Sequence, residues 1–137
     1  MPEPRHPRGL IDTSVLIGLE HLDPTCLPAE LAISAVTLAE LAAGPHATAD
    51  SAERARRQDR LQRAEAAFEP LPVDADVARA YGRVYAALVA GGTKARGRRA
   101  LDLLIAATGL ANDLPVYTCN PDSFGDLASL IDVVSIE

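Results

Sequence analysis

A chain of 137 residues, 48% of them hydrophobic, fits one domain spanning residues 1–137, and it can bury a core without disulfides or a structural metal. Cys26, Cys119 and three scattered histidines supply neither a disulfide framework nor a zinc-ligand spacing. No stretch approaches the roughly 18 uncharged apolar residues of a membrane span, and no apolar run follows Pro2, Pro4 and Pro7, so a reduced, cytoplasmic protein without a membrane partner is expected. The formal net charge of −6 conceals an asymmetry, because most of the 13 Lys and Arg residues lie between residues 51 and 99 and none follows residue 99.

In chain order, Arg8 to Asp12 reads as a short apolar strand and Thr13 to Glu20 as a helix through Val15, Leu16 and Leu19. Leu31 to Ser34 is a second strand. Ser34 then caps a helix through Val36, Leu38 and Leu41, which the Gly44-Pro45 pair stops. Ala49 to Phe68 predicts a long helix with Leu61, Ala64 and Phe68 on its apolar side, ended by Pro70 and Pro72, and Leu71 to Val73 is a further short strand candidate. Asp74 caps the next helix, where Val77, Tyr81, Val84, Tyr85 and Leu88 recur at helical spacing as a core or dimer face before Gly91-Gly92. Arg99 to Asn112 is an apolar helix, and Val116 to Thr118 and Val133 to Ile136 are the last strands. Short strands separated by helices predict an α/β fold of three layers, helices on both faces of a short, mostly parallel sheet, with sites beyond the carboxyl ends of the strands. Asp12 and Asn120 fall at that edge.

Four acids stand beside core-forming segments: Asp12, Glu40, Asp102 and Asp122. A carboxylate withdrawn from water costs several kcal/mol unless paired or metal-bound, and no Lys or Arg is near Asp12, Glu40 or Asp122 in sequence. A hard cation such as Mg²⁺ or Mn²⁺ is the simplest counter-charge. Each acid also has a structural role open to it: Asp12 as a helix cap, Glu40 as a surface residue, Asp102 in a helical pair with Arg98 or Arg99, Asp122 in the turn after Pro121. Arg54, Arg56, Arg57, Arg60 and Arg63 can attract a phosphate backbone or form a solvated helix face, since Glu53, Asp59 and Glu65 interleave with them. The acid-free segment with Lys94, Arg96, Arg98 and Arg99 is the sharper candidate to meet a phosphate backbone. Cys119 has no histidine near in sequence to act as its base and reads as a buried structural thiol, and no phosphate-cradling glycine fingerprint is present.

Leu10-Ile11-Asp12-Thr13-Ser14, the segment Ser34 to Leu41 with its Ala39-Glu40-Leu41, Ala100-Leu101-Asp102-Leu103-Leu104-Ile105-Ala106-Ala107 and Val116-Tyr117-Thr118-Cys119-Asn120-Pro121-Asp122 occur in the order found in one family. The chain resembles the PIN-domain nucleases, and within them the VapC toxins of type II toxin-antitoxin systems. The resemblance implies an Mg²⁺- or Mn²⁺-dependent endoribonuclease, a cognate VapB-type antitoxin and a homodimer. It places Asp12, Glu40 and Asp102 at the metal, with Thr13 or Ser14 orienting Asp12 and Thr118 bonding a ligand or water. The fourth position departs from the family pattern. Many members have an acid where this chain has Asn120, and many have one just before the phenylalanine, where this chain has Ser123-Phe124, so Asp122 is offset by one and competes with the Asn120 amide oxygen.

Two other classes bear on the same residues. An aspartyl-nucleophile phosphatase wants a second acid two residues after the first, where Ser14 stands, and is the weaker enzyme alternative. A non-catalytic PIN-like binding module, acting in a protein complex or a DNA-bound repressor, would use the acids as an interaction surface.

Overall fold

In a computed structural model the chain is described over residues 6–92 and 98–136, with the side chains of Arg98 and Arg99 outside the description. Four strands, β1 (Arg8–Ile11), β2 (Glu30–Ala32), β3 (Val116–Thr118) and β4 (Val133–Ser135), form one sheet in the order β2-β1-β3-β4. Every pairing is parallel, and Leu10 aligns with Ala32 on one side and Val116 on the other. Among the described residues five α-helices accompany it: α1 (Thr13–Ile17), α2 (Ala35–Ala43), α3 (Ser51–Ala67), α4 (Ala75–Ala90) and α5 (Arg98–Ala111).

The pleat explains the layers. Successive strand residues face opposite sides, so Leu10 and Val116 enter a core with Val77, Val84, Leu88, Leu103 and Phe124. Ile11 and Tyr117 enter a second core with Val15, Leu16, Leu41 and Ala64. Both sheet faces are therefore covered, as an all-parallel sheet requires. On the first face α5 approaches β3 closely: a Cβ on Gly109 would stand 2.8 Å from Val116 Cγ2 and 3.1 Å from the Leu114 carbonyl. Glycine there lets the helix that carries Asp102 lie against the strand. Asp113, at φ 55°, then turns the chain out of α5 in the left-handed conformation that Asp tolerates better than most residues.

Short polar side chains start the helices. Asp12, Ser34, Asp50 and Asp74 accept backbone N–H bonds from Val15, Val36, Glu53 and Val77, satisfying donors that a helix start leaves open. Several predicted boundaries need correction. β1 ends at Ile11, because Asp12 is already the α1 cap, and α1 stops at Ile17 rather than Glu20, giving way to a 3₁₀ turn over Leu19–His21. Phe68 lies just past α3 as its extended cap residue. The Leu71 to Val73 segment is reduced to a single bridge between Ser34 and Leu71. Leu71 donates to the Ile33 carbonyl and accepts from Ala35, but Pro70 and Pro72 have no N–H with which to extend the ladder. No helix among the described residues is long and apolar enough to cross a membrane.

Candidate active site

In the order β2-β1-β3-β4 the chain runs from β1 to β2 on one side and later returns to β3 on the other, so the switch lies between β1 and β3. In open parallel sheets the crevice beyond the strand ends at such a point is where ligands bind. Asp12 follows β1 directly. Its backbone N–H bonds to the Tyr117 carbonyl of β3 at 3.0 Å, which fixes it beside the neighbouring strand.

Asp12 is 4% exposed. Its Oδ1 accepts the Ser14 hydroxyl at 2.6 Å and the Val15 N–H at 3.1 Å. The Ser14 Oγ also accepts the Cys119 N–H at 3.0 Å, so one hydroxyl ties the carboxylate to the end of β3 across the switch point. No basic side chain pairs with Asp12 among the described residues. Oδ2 takes none of these bonds, and since no buried side-chain oxygen among the described residues lacks a partner, Oδ2 is where this acid meets solvent.

Glu40 is half-buried on α2, and its Oε1 accepts the Thr13 hydroxyl at 2.7 Å. Thr37, fully buried one turn earlier on the same helix, stands 3.1 Å from Thr13 Oγ1. Thr13 is the donor toward both, so its single proton is shared between the Glu40 carboxylate, the nearer acceptor, and the Thr37 hydroxyl. Neither Thr37 nor its link to α1 was anticipated, although Thr37 and Glu40 stand at the i,i+3 spacing that puts side chains on one helix face. A further unanticipated pair is Ser34 and Thr108, whose buried hydroxyls lie 3.4 Å apart and tie the start of α2 to α5. Thr108 gives its own proton to the Leu104 carbonyl at 2.8 Å.

The remaining residues are less closely gathered. Asp102 is half-buried on α5. Its proposed pairing with Arg98 or Arg99 lies outside the described side chains, as do Lys94 and Arg96 entirely. Thr118 is fully buried, and its Oγ1 accepts the Asn120 N–H at 2.9 Å. Asn120 and Asp122 are exposed around the 3₁₀ turn Pro121–Leu127, where the Asn120 carbonyl accepts the Ser123 N–H at 3.1 Å. Cys119 is half-buried rather than buried, and packs beside the second core as a free thiol.

The structure thus joins Asp12 to Ser14 and the end of β3, and Thr13 to Glu40 and Thr37. Among the described residues no three His, Cys, Asp or Glu side chains stand close enough to hold a metal ion between them. The donor set still fits one class of ion. Mg²⁺ keeps most of its waters and takes one or two carboxylates directly, and the solvent-facing oxygen of Asp12 is a hard donor already fixed in direction. Ser14→Ala is expected to lower Mn²⁺ affinity about 10- to 100-fold, the usual cost of removing a partner that orients a metal-holding side chain. Calorimetric Mn²⁺ titration of the folded variant checks this.

Comparison with known proteins places this geometry in a family. The PIN domain family model matches residues 10–130. Ribonuclease VapC5 of Mycobacterium tuberculosis is 39% identical over 132 residues, covering 94% of this chain and 92% of the relative. Ribonuclease VapC8 of the same species is 40% identical over 101 residues, covering 73% of this chain and 88% of that protein. Among solved structures, the VapBC-5 toxin-antitoxin system of M. tuberculosis superposes with a TM-score of 0.82 at 37% identity, covering 95% of this chain and 99% of the matched one. The chain belongs to the PIN-domain family, and its parallel sheet with helices on both faces is the PIN fold.

Proposed function

We propose that this chain is an endoribonuclease, the toxin of a toxin-antitoxin pair, hydrolysing RNA phosphodiesters at a carboxylate-bound Mg²⁺ or Mn²⁺ site. The observation that carries the reading is the nearly buried Asp12 at the sheet switch point, oriented by Ser14 and Val15 with no cation paired to it among the described residues. The names of the relatives supply the activity, and their toxin-antitoxin complexes support a VapB-type antitoxin as partner. A metal at such a site polarises a phosphodiester and lowers the pKa of its bound water.

The chain's own residues supply the positioning. Asp12 presents one oxygen to the crevice while its other oxygen is held by Ser14 and the α1 N-terminus. Thr13 fixes the direction of Glu40, and Thr37 fixes Thr13. Asp102 adds a third carboxylate from α5, and Asp122 or the Asn120 amide a fourth oxygen from the turn after β3. Lys94, Arg96, Arg98 and Arg99 bind the RNA backbone in this reading. The protein acts in the cytoplasm as one domain over residues 1–137. Exposed Tyr85 and Val89, one turn apart on α4, support pairing with a second copy.

The test is cleavage of total cellular RNA by the purified protein with Mg²⁺, with Mn²⁺ and with EDTA. Cutting in both metal lanes and its loss in EDTA are expected. Undiminished cutting in EDTA would remove the metal from the mechanism, and no cutting in any lane would favour the binding-module alternative.

A further inference from the structure

The five arginines of α3 look equivalent in sequence but differ in the fold. Arg56 bonds Glu53 at 2.7 Å, and Arg57 bonds Glu53 at 3.2 Å and the Gly44 carbonyl at 2.9 Å. These two guanidinium groups hold the Glu53 carboxyl below its ordinary range. Arg63 bonds Glu20 at 2.6 Å and pairs with Asp59 at 3.0 Å, and those acids raise its pKa further. Arg54 donates to the Pro45 and Thr48 carbonyls. Arg60, half-buried, is the one α3 arginine with no hydrogen bond or ion pair among the described residues.

Its position is equally distinct. A cavity of about 690 Å³ is lined by Thr13, Ile17, Glu40, Arg57, Arg60 and Leu101, so it opens on the Thr13–Glu40 edge of the site. A second, of about 410 Å³, lies between Leu16, Ile17, Leu19, Arg60, Ala64 and Phe68. Ile17 and Arg60 line both, so Arg60 stands where the two cavities adjoin along α3.

We propose that Arg60 is an RNA-binding residue, contacting a backbone phosphate and holding the strand where these two cavities adjoin, beside the site. The inference rests on the RNA-cleaving reading above. A phosphate chain approaching a protein of net charge −6, at a crevice lined with carboxylates, meets repulsion that a nearby cation offsets. Four of the α3 arginines have their donors engaged within the protein. The planar Arg60 guanidinium keeps five N–H donors available, in the fork geometry that matches two phosphate oxygens.

The experiment measures binding of a fluorescein-labelled, 12-nucleotide single-stranded RNA of mixed sequence in EDTA, where it stays intact, across a salt titration. Wild type, Arg60→Gln and Arg56→Gln are compared, the last removing the same charge from an arginine already paired. Arg60→Gln is expected to weaken binding several-fold and to lower the slope of log affinity against log salt by about 0.7, one phosphate contact on a single strand, with Arg56→Gln close to wild type. Equal slopes for wild type and Arg60→Gln would overturn the proposal, as would equal losses in both variants, which would mark a net-charge effect. If Arg60→Gln kept its RNA affinity but lost its co-expressed antitoxin, this surface would belong to the protein partner and the RNA proposal would fall. Salt-independent binding by wild type would instead bring down the RNA reading itself.

Discussion

Asp12→Asn is expected to abolish detectable cleavage, by on the order of 10² to 10³-fold in turnover, while leaving the metal-free protein as stable as wild type or more so. The two halves follow from one geometry. Asparagine caps helices as well as aspartate, and its Oδ1 can still accept the Ser14 hydroxyl and the Val15 N–H, so the start of α1 and the link through Ser14 to Cys119 survive. The substitution removes a negative charge that is 4% exposed and has no basic partner among the described residues, so the folded state is relieved of a desolvation cost. A Mn²⁺-dependent thermal shift separates this from a folding defect. At a metal concentration 100 times its dissociation constant a bound ion stabilises the native state by about 2.7 kcal/mol, so wild type should melt higher with Mn²⁺ and Asp12→Asn should not respond. A variant that melts higher with Mn²⁺ as wild type does would move the metal away from Asp12. One that loses stability without metal would make its charge structural.

What the sequence made legible divides by the range of the interaction. Ser34 and Asp74 were readable as caps because a cap is chemistry among neighbours two or three residues apart, and both side chains accept the N–H bonds expected of them. Asp12 as a cap was readable for the same reason, although the first strand was read one residue too long through it, and the alternation of short strands and helices implied a parallel sheet. The Leu71 to Val73 strand misled because its apolar side chains suit a strand while Pro70 before it and Pro72 within it deny it donors. The links from Thr13 to Glu40, 27 residues apart, and from Ser34 to Thr108, 74 apart, depend on how the helices dock and leave no local trace. Charge was the least legible quantity. The interleaved acids left the α3 arginines open between helical pairing and a phosphate-attracting face, and only the packing of Glu20 beside Arg63 and of Gly44 beside Arg57 left Arg60 as the exception among the described residues.

The complementary experiment removes packing and leaves every carboxylate in place. Phe124 is 1% exposed, heads the fully buried side chains by size, and sits among Val84, Leu88 and Leu103 in the core under α4 and α5. It anchors the Pro121–Leu127 turn, which joins β3 to the segment leading into β4 and carries Asp122. Phe124→Ala should cost about 3 to 5 kcal/mol, the transfer free energy of the ring plus that of the cavity left when neighbours relax only in part. That is a large share of the ~5 to 15 kcal/mol that holds a typical domain folded. Urea denaturation should show a lower midpoint with an unchanged slope, because the same surface is exposed on unfolding. The surviving folded molecules keep the Asp12, Ser14 and Cys119 connection, which is made at the ends of β1 and β3 and not in the core around Phe124, so Mn²⁺ should still raise their melting temperature. Asp12→Asn and Phe124→Ala therefore move stability and metal response in opposite senses. A Phe124→Ala protein that stayed stable but lost its metal response would place the turn after β3, with Asp122 and Asn120, at the metal itself.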